Sequence, residues 1–184
     1  MNQTGVTIIG EYDTIFKPLL EEAGIAPERL LSLVAINGAV SSTAAPDTPL
    51  GDWFEEPDVV HWTDEETGYQ CVILRAPRSL HLCGYVLIDY DHPLNGVDVD
   101  TVRQTLPCVR PVSFVSDGFP APHLLETSCD FATQVFGFHC AENWDYVPGH
   151  HKIENKGPKS YRTVPQVADM CRELALTLRS RAKH

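Results

Sequence analysis

Basic charge is scarce in this chain: 14 Lys and Arg stand against 25 Asp and Glu, for a formal charge of -11. A surface so biased repels phosphate backbones at long range and leaves no basic stripe, which argues against a nucleic-acid polymer as partner. Long apolar runs are missing as well. No stretch approaches the roughly 20 residues of a membrane span, and the opening MNQTGVTIIGEYD has neither a basic n-region nor an extended apolar core. The expectation is a cytoplasmic protein with no membrane contact. The six cysteines, Cys71, Cys83, Cys108, Cys129, Cys140 and Cys171, lack the dense spacing of a disulfide scaffold and lie mostly in apolar runs, so buried free thiols are expected. No C-x-x-C, H-E-x-x-H or G-x-S-x-G motif occurs, and there is no internal repeat or low-complexity tract.

What is present is enough for a core. With 184 residues and 43% hydrophobic content, the length fits one domain with an appended piece. Ile15, Phe16, Leu19, Leu20 and Ala23 fall at helical spacing after Thr14, and Leu30, Leu31, Val34 and Ala35 do so after Pro27, which predicts a helical hairpin. The turn-rich SSTAAPDTPLGD then reads as a linker, dividing the chain into residues 1–50 and a main domain over 51–184. From Val59 the runs VVHW, YQCVILRA and LCGYVLIDY, separated by turn signals at Glu66–Gly68 and Pro77–Ser79, predict an antiparallel meander. Further strands are expected at Pro111–Ser116 and Thr133–His139, with an exposed loop over Gly118–Glu126. A hairpin folded about Pro77 would set Cys71 opposite Cys83, most simply as two small core residues.

The C-terminal helix has the clearest pattern. Val164, Val167, Ala168, Cys171, Leu174, Ala175 and Leu178 form one apolar stripe, Thr163 with Gln166 makes a capping-box pattern, and Pro165 sits in the first turn. The predicted fold is α+β: an antiparallel sheet over about Val59–His139 packed by this helix, with the N-terminal helical hairpin attached.

Chemistry concentrates in VFGFHCAENWDYVPG, Val135–Gly149, where a buried strand gives way to polar side chains. His139 or His92 with Glu142 or Asp145 has the residue types for acid–base hydrolysis, the carboxylate fixing the imidazole tautomer. Tyr85, Trp144, Tyr146 and Tyr161 offer stacking faces for a planar base. Arg110, Arg162 or Lys159 suits a phosphate, and Asn143 or Asp145 can read an edge, with His92 a further polar group. The GPKSYR segment before the last helix offers amides to an anion. His139, Cys140, His150 and His151 are zinc-type ligands, but neighbours in a strand point to opposite faces, so no metal and no cofactor is predicted. Acidic stretches at Glu55–Asp58 and Asp64–Glu66 read as solvated loops.

The series GYQCVILR, LCGYV followed by HPL and Gly96, FGF with Cys140 and Ala141, DYVPG, and YR leading into a helix resembles a family of small phage and actinobacterial proteins without an established activity. The resemblance spans roughly Trp62–Leu178 and matches at His92, Cys140, Asp145 and Arg162. The sequence departs from the family pattern at three polar places. Arg110, Pro111 and Val112 stand where a His-Gly-Gly strand is usual, His139 where an Asp follows FGF, and Glu142 where a His follows Cys-Ala. The resemblance implies a phage-type protein that sequesters a small anionic or nucleotide-like ligand, such as an immune signal. Two other classes compete with this reading. One is a hydrolase resembling a cyclic-nucleotide phosphodiesterase, and the other is an acidic module docking on a basic host protein. Whether the chain is an enzyme, and whether it forms a homo-oligomer, the sequence leaves open.

Overall fold

The computed structural model describes residues 30–34, 51–76, 79–108, 110–117, 134–150 and 159–182, with only the backbone described for 30–34. Six strands form one antiparallel sheet: β1 (Leu30–Val34), β2 (Val59–Thr63), β3 (Gln70–Arg75), β4 (Leu82–Ile88), β5 (Phe114–Ser116) and β6 (Gln134–His139). Their spatial order is β1-β2-β3-β4-β6-β5, so the β2–β4 meander continues into β6, and β5 closes the edge. Two α-helices, a short α1 (Val99–Thr105) and the long α2 (Val164–Ala182), and short 3-10 helices at Asp52–Phe54 and Pro148–His150 complete the described fold. The α+β reading therefore holds, with α2 packed across the sheet.

Alternation along the strands decides which side chains meet α2. Cys71 and Ile73 of β3, Leu82, Val86 and Ile88 of β4, and Phe136 and Phe138 of β6 join the buried stripe Val164, Val167, Ala168, Cys171, Leu174, Ala175 and Leu178 in the main core. That stripe is the one the sequence spacing predicts. Gly84 is required at the centre: a Cβ there would stand 2.3 Å from Phe138 Cζ and 2.7 Å from Cys171 Sγ. On the opposite face Val72, Leu87 and Val135 form a second cluster with Leu74, Tyr85 and Phe114.

Several expectations are corrected. Leu30–Val34 is an edge strand paired with β2 and not part of a helix, so sheet pairing crosses the expected boundary at residue 50. LLSLV is five residues long, too short for its periodicity to separate helix from strand. The rest of the expected hairpin and linker, and the loop over 118–126, fall outside the described residues. Cys71 does not face Cys83: it pairs with Val86, while Cys83 pairs with Leu74, which puts the two thiols on opposite faces of the sheet. The hairpin closes through Ala76 N–H donating to the His81 carbonyl at 2.9 Å, so its centre lies beyond Pro77. The Cys71, Cys83, Cys108, Cys140 and Cys171 thiols are all free.

The acidic stretches are not simply solvated. Glu56 and Asp58 are buried, as is Asp64. Asp64 Oδ1 accepts from the Thr67 amide at 2.9 Å and the Thr67 hydroxyl at 2.7 Å, which shapes the turn before Gly68. Glu56 reaches further. Its Oε1 accepts from the Val164 amide at 2.7 Å and caps α2, and its Oε2 accepts from the Tyr161 hydroxyl at 2.6 Å. Arg75 then donates to Asp58 at 2.8 Å and to the Tyr161 oxygen at 2.6 Å. This buried network fixes the start of α2 against β3.

Candidate functional site at the sheet end

Strand β4 begins where β6 ends, with Cys83 paired to His139 and the Cys140 amide donating to the Leu82 carbonyl at 2.9 Å. Past this end, residues 142–145 turn back: Asp145 N–H donates to the Glu142 carbonyl at 2.9 Å, and Asp145 bridges to Ser160 ahead of α2. Segments from β6, from the approach to β5 and from the approach to α2 thus converge at one corner of the sheet.

Asp145 is the hub of that corner and is fully buried. Arg110 meets it with both terminal nitrogens, Nη1 to Oδ2 at 2.6 Å and Nη2 to Oδ1 at 3.0 Å. Arg162 Nε adds a bond to Oδ1 at 3.0 Å, and the Glu142 amide one to Oδ2 at 2.9 Å. Burial works against the charged carboxylate, but these donors outweigh it and hold the Asp145 pKa below its ordinary value. One carboxylate therefore holds two guanidiniums, and Glu142, whose charge also acts on Arg110, brings a second carboxylate to the same corner. Arg110 is sealed, whereas the Arg162 side chain is 25% exposed. The guanidinium of Arg110 also lies 5.8 Å from the ring centre of Trp144, which is half exposed.

His139 stands beside the hub. Its Nδ1 is 2.8 Å from Ser113 Oγ and its Nε2 is 3.4 Å from Glu142 Oε1, with both side chains open to solvent in part. A second imidazole faces it: the His81 ring centre is 6.2 Å away at 66°, and His81 Nδ1 is 2.8 Å from Ser79 Oγ. Burial, followed by the neighbouring His139 and His150 and by Arg75, lowers the His81 pKa to about 4, while Asp145 pulls the other way. His81 is neutral at physiological pH. Its backbone is held firmly, because Leu80 just before it is fully buried in the left-handed region at φ 59° and its carbonyl accepts from Arg75 at 3.1 Å.

Of the residues expected to form a site, His139, Glu142, Asn143, Trp144, Asp145, Arg110 and Arg162 do gather here, with Asn143 exposed on the turn. Their roles differ from expectation. Both Asp145 oxygens are taken, by Arg110, Arg162 and the Glu142 amide, and they meet no His139 nitrogen. Arg110 is committed to Asp145 and cannot clamp a phosphate. Tyr161 is tied to Glu56 and Arg75, and Tyr146 packs against Trp53 at 5.5 Å between ring centres, so neither is a free stacking face. Tyr85 shares the face of His139, but its ring meets Phe114 edge-on at 5.8 Å and crosses Gly137, where a Cβ would stand 2.6 Å from it. It is packing.

His92 lies at the far end of β4, roughly 20 Å along the strand by its rise per residue. There it is buried, accepting from the Leu94 amide at 3.1 Å through Nδ1 and meeting the Leu178 carbonyl at 3.0 Å through Nε2. That bonding fixes one neutral tautomer and ties down the C-terminal part of α2. At the start of α2 two amides are already taken, that of Val164 by Glu56 and that of Thr163 by Gln166 at 3.2 Å, while Gly157 lies outside the described residues. Cys140 is no thiolate nucleophile: burial pushes its pKa up to about 12, with Arg110 lowering it only in part.

Sequence reasoning missed His81 and Ser113. Pairing the start of the LCGYV strand with the end of FGFH would have brought His81 to His139, because both lie just beyond the apolar runs. Among the described residues no three His, Cys, Asp or Glu side chains gather as metal ligands, and no helix is long and apolar enough to cross a membrane. Comparison with models of known protein families, with curated proteins and with solved structures finds no match to this chain.

Proposed function

We propose that the protein takes up a small anionic ligand, a nucleotide or similar phosphate ester, at the sheet end where β4 begins and β6 finishes. The observation that carries this is the Asp145 hub, which fixes the partly exposed Arg162 at the same corner as the half-exposed Trp144. In a chain of formal charge -11, a guanidinium held in place and open to solvent has a use in meeting an anion that the rest of the surface repels. Arg162 presents that charge, and the half-exposed Trp144 offers a face for a planar base. The resemblance to small phage proteins belongs to the same proposal and suggests the setting: a cytoplasmic protein sequestering a nucleotide immune signal. The free thiols agree with a reducing compartment.

A second reading, hydrolysis of the ligand, is favoured by the contact between His139 and Glu142. To test binding, the purified protein is incubated with a panel of mono-, di- and cyclic nucleotides, freed of excess and heated, and the released material is chromatographed. Recovery of a nucleotide by the wild type, reduced at least about tenfold in Arg162→Ala as for loss of a charge-assisted contact, supports the proposal. No depletion of any panel member would overturn it and leave the acidic surface as a docking face for a protein.

A further inference from the structure

We infer that His81 and His139 are the proton acceptor and proton donor for hydrolysis of a phosphodiester bound at this sheet end. The inference deepens the anionic-ligand reading and rests on it. The end of the hairpin sets the geometry: Cys83 pairs with His139, and His81, just ahead of β4 with its carbonyl accepting from the Ala76 amide, brings its imidazole against that of His139. Their centres are 6.2 Å apart at 66°, an edge contact that sets both rings beside one phosphate seated against them.

The two rings have different partners. The groups facing His81 are Ser79, His139, His150, Asp145 and Arg75. Its Nδ1 is engaged by Ser79, and the ring is held neutral, leaving Nε2 to take a proton. The groups facing His139 are Ser113, Glu142 and His81. Glu142, 3.4 Å from its Nε2, is a counterion for the ring when it carries its second proton. Neither the Cys83 thiol, with its pKa raised by burial to about 11, nor Cys140 contributes a charge.

In the step this assigns, a water oxygen forms the new bond to phosphorus as His81 Nε2 accepts its proton. The bond from phosphorus to the leaving oxygen breaks, and that oxygen takes the Nε2 proton of the His139 imidazolium in place of the 3.4 Å contact with Glu142, while Nδ1 stays on Ser113. The products are a phosphomonoester and an alcohol. His81 ends protonated and His139 neutral, and exchange with solvent resets both. No oxidant, reductant or metal is needed for this balance. Ser79 and Ser113 are positioning residues.

The test uses bis(4-nitrophenyl) phosphate and a cyclic dinucleotide as probes on the full chain. Wild-type protein is expected to release nitrophenolate and to open the cyclic dinucleotide to a linear product. His81→Gln and His139→Gln should each lower kcat by at least about 100-fold with KM within about threefold, as for loss of a general acid or base. Each variant should also lose one limb of the bell-shaped pH profile. Melting curves show whether each variant is folded, and His139→Asn serves as a second donor variant should His139→Gln unfold. Retention of the intact cyclic dinucleotide by wild type, without turnover of either probe, would overturn this inference and leave the binding reading standing. Absence of both binding and turnover would overturn both. Turnover unchanged in folded His81→Gln or His139→Gln would also refute it.

Discussion

Replacing Asp145 by alanine is the sharpest test of how the sheet end is built. The carboxylate is fully buried and receives two bonds from Arg110, one from Arg162 and one from the Glu142 amide. Its loss strands the Arg110 guanidinium, whose side chain is only 4% exposed, without a counterion. Breaking a buried pair in this way costs about 3–5 kcal/mol, because the remaining charge is left desolvated. Arg162→Ala is the matched control. It leaves Asp145 with the Arg110 fork and removes a partner already open to water, so about 1 kcal/mol or less is expected. For a chain of this length each kcal/mol moves Tm by about 2–4 °C, which separates a drop of at least about 6 °C from one of 4 °C or less. Urea denaturation with an unchanged m-value confirms that the folded state is the one affected. The double replacement Arg110→Met with Asp145→Leu should recover much of the loss, since an apolar pair leaves no buried charge behind. Equal destabilisation by Asp145→Ala and Arg162→Ala would refute the hub.

Further consequences can be measured separately. Gly84→Ala places a Cβ against Phe138 and Cys171, neither of which has room to retreat, and should cost about 1–3 kcal/mol in urea denaturation; a neutral result would show that α2 sits farther from β4. His92→Ala removes the tie to Leu178 and one to Leu94 and should destabilise by about 1–3 kcal/mol without changing nucleotide uptake, because it lies at the other end of the sheet. The lowered His81 pKa has a signed consequence: the unfolded chain binds the proton first, so stability from neutral His81 is present above about pH 6.5 and is lost as pH falls toward about 4. Stability measured across that window should fall less steeply in His81→Gln than in wild type, and parallel curves would contradict the assignment.

The fold was largely legible wherever a pattern ran long enough. The α2 stripe repeats over fifteen positions, and the β2–β4 runs are bounded by turn residues, so period and punctuation agree. Leu30–Val34 was not legible, because Leu30, Leu31 and Val34 suit one helix face as well as an edge strand. The offset of Cys71 from Cys83 depended on the closure of the hairpin between Ala76 and His81, which the choice of Pro77 as its centre does not anticipate.

At the site, the cluster over 139–146 was visible as residue types, and its neighbours Arg110 and Arg162 were named. Which of them would be spent on each other was not visible. Asp145 meets partners 35 and 17 residues away, and Glu56 meets Tyr161 at a separation of 105, distances over which spacing says nothing. For the same reason an acidic run concealed the buried cap of α2. His81 falls between the Pro77–Ser79 turn signal and the LCGYV run, where no pattern marks it, although the pairing of Cys83 with His139 puts it close by.

The most direct measurement follows the imidazole resonances of His81, His139 and His92 by NMR while a cyclic dinucleotide is titrated into the protein. An anion seated at the start of β4 should move the His81 and His139 signals together and saturably, and leave those of His92 in place. Signals of all three that stay fixed, or that shift alike, would contradict a ligand site at this end of the sheet.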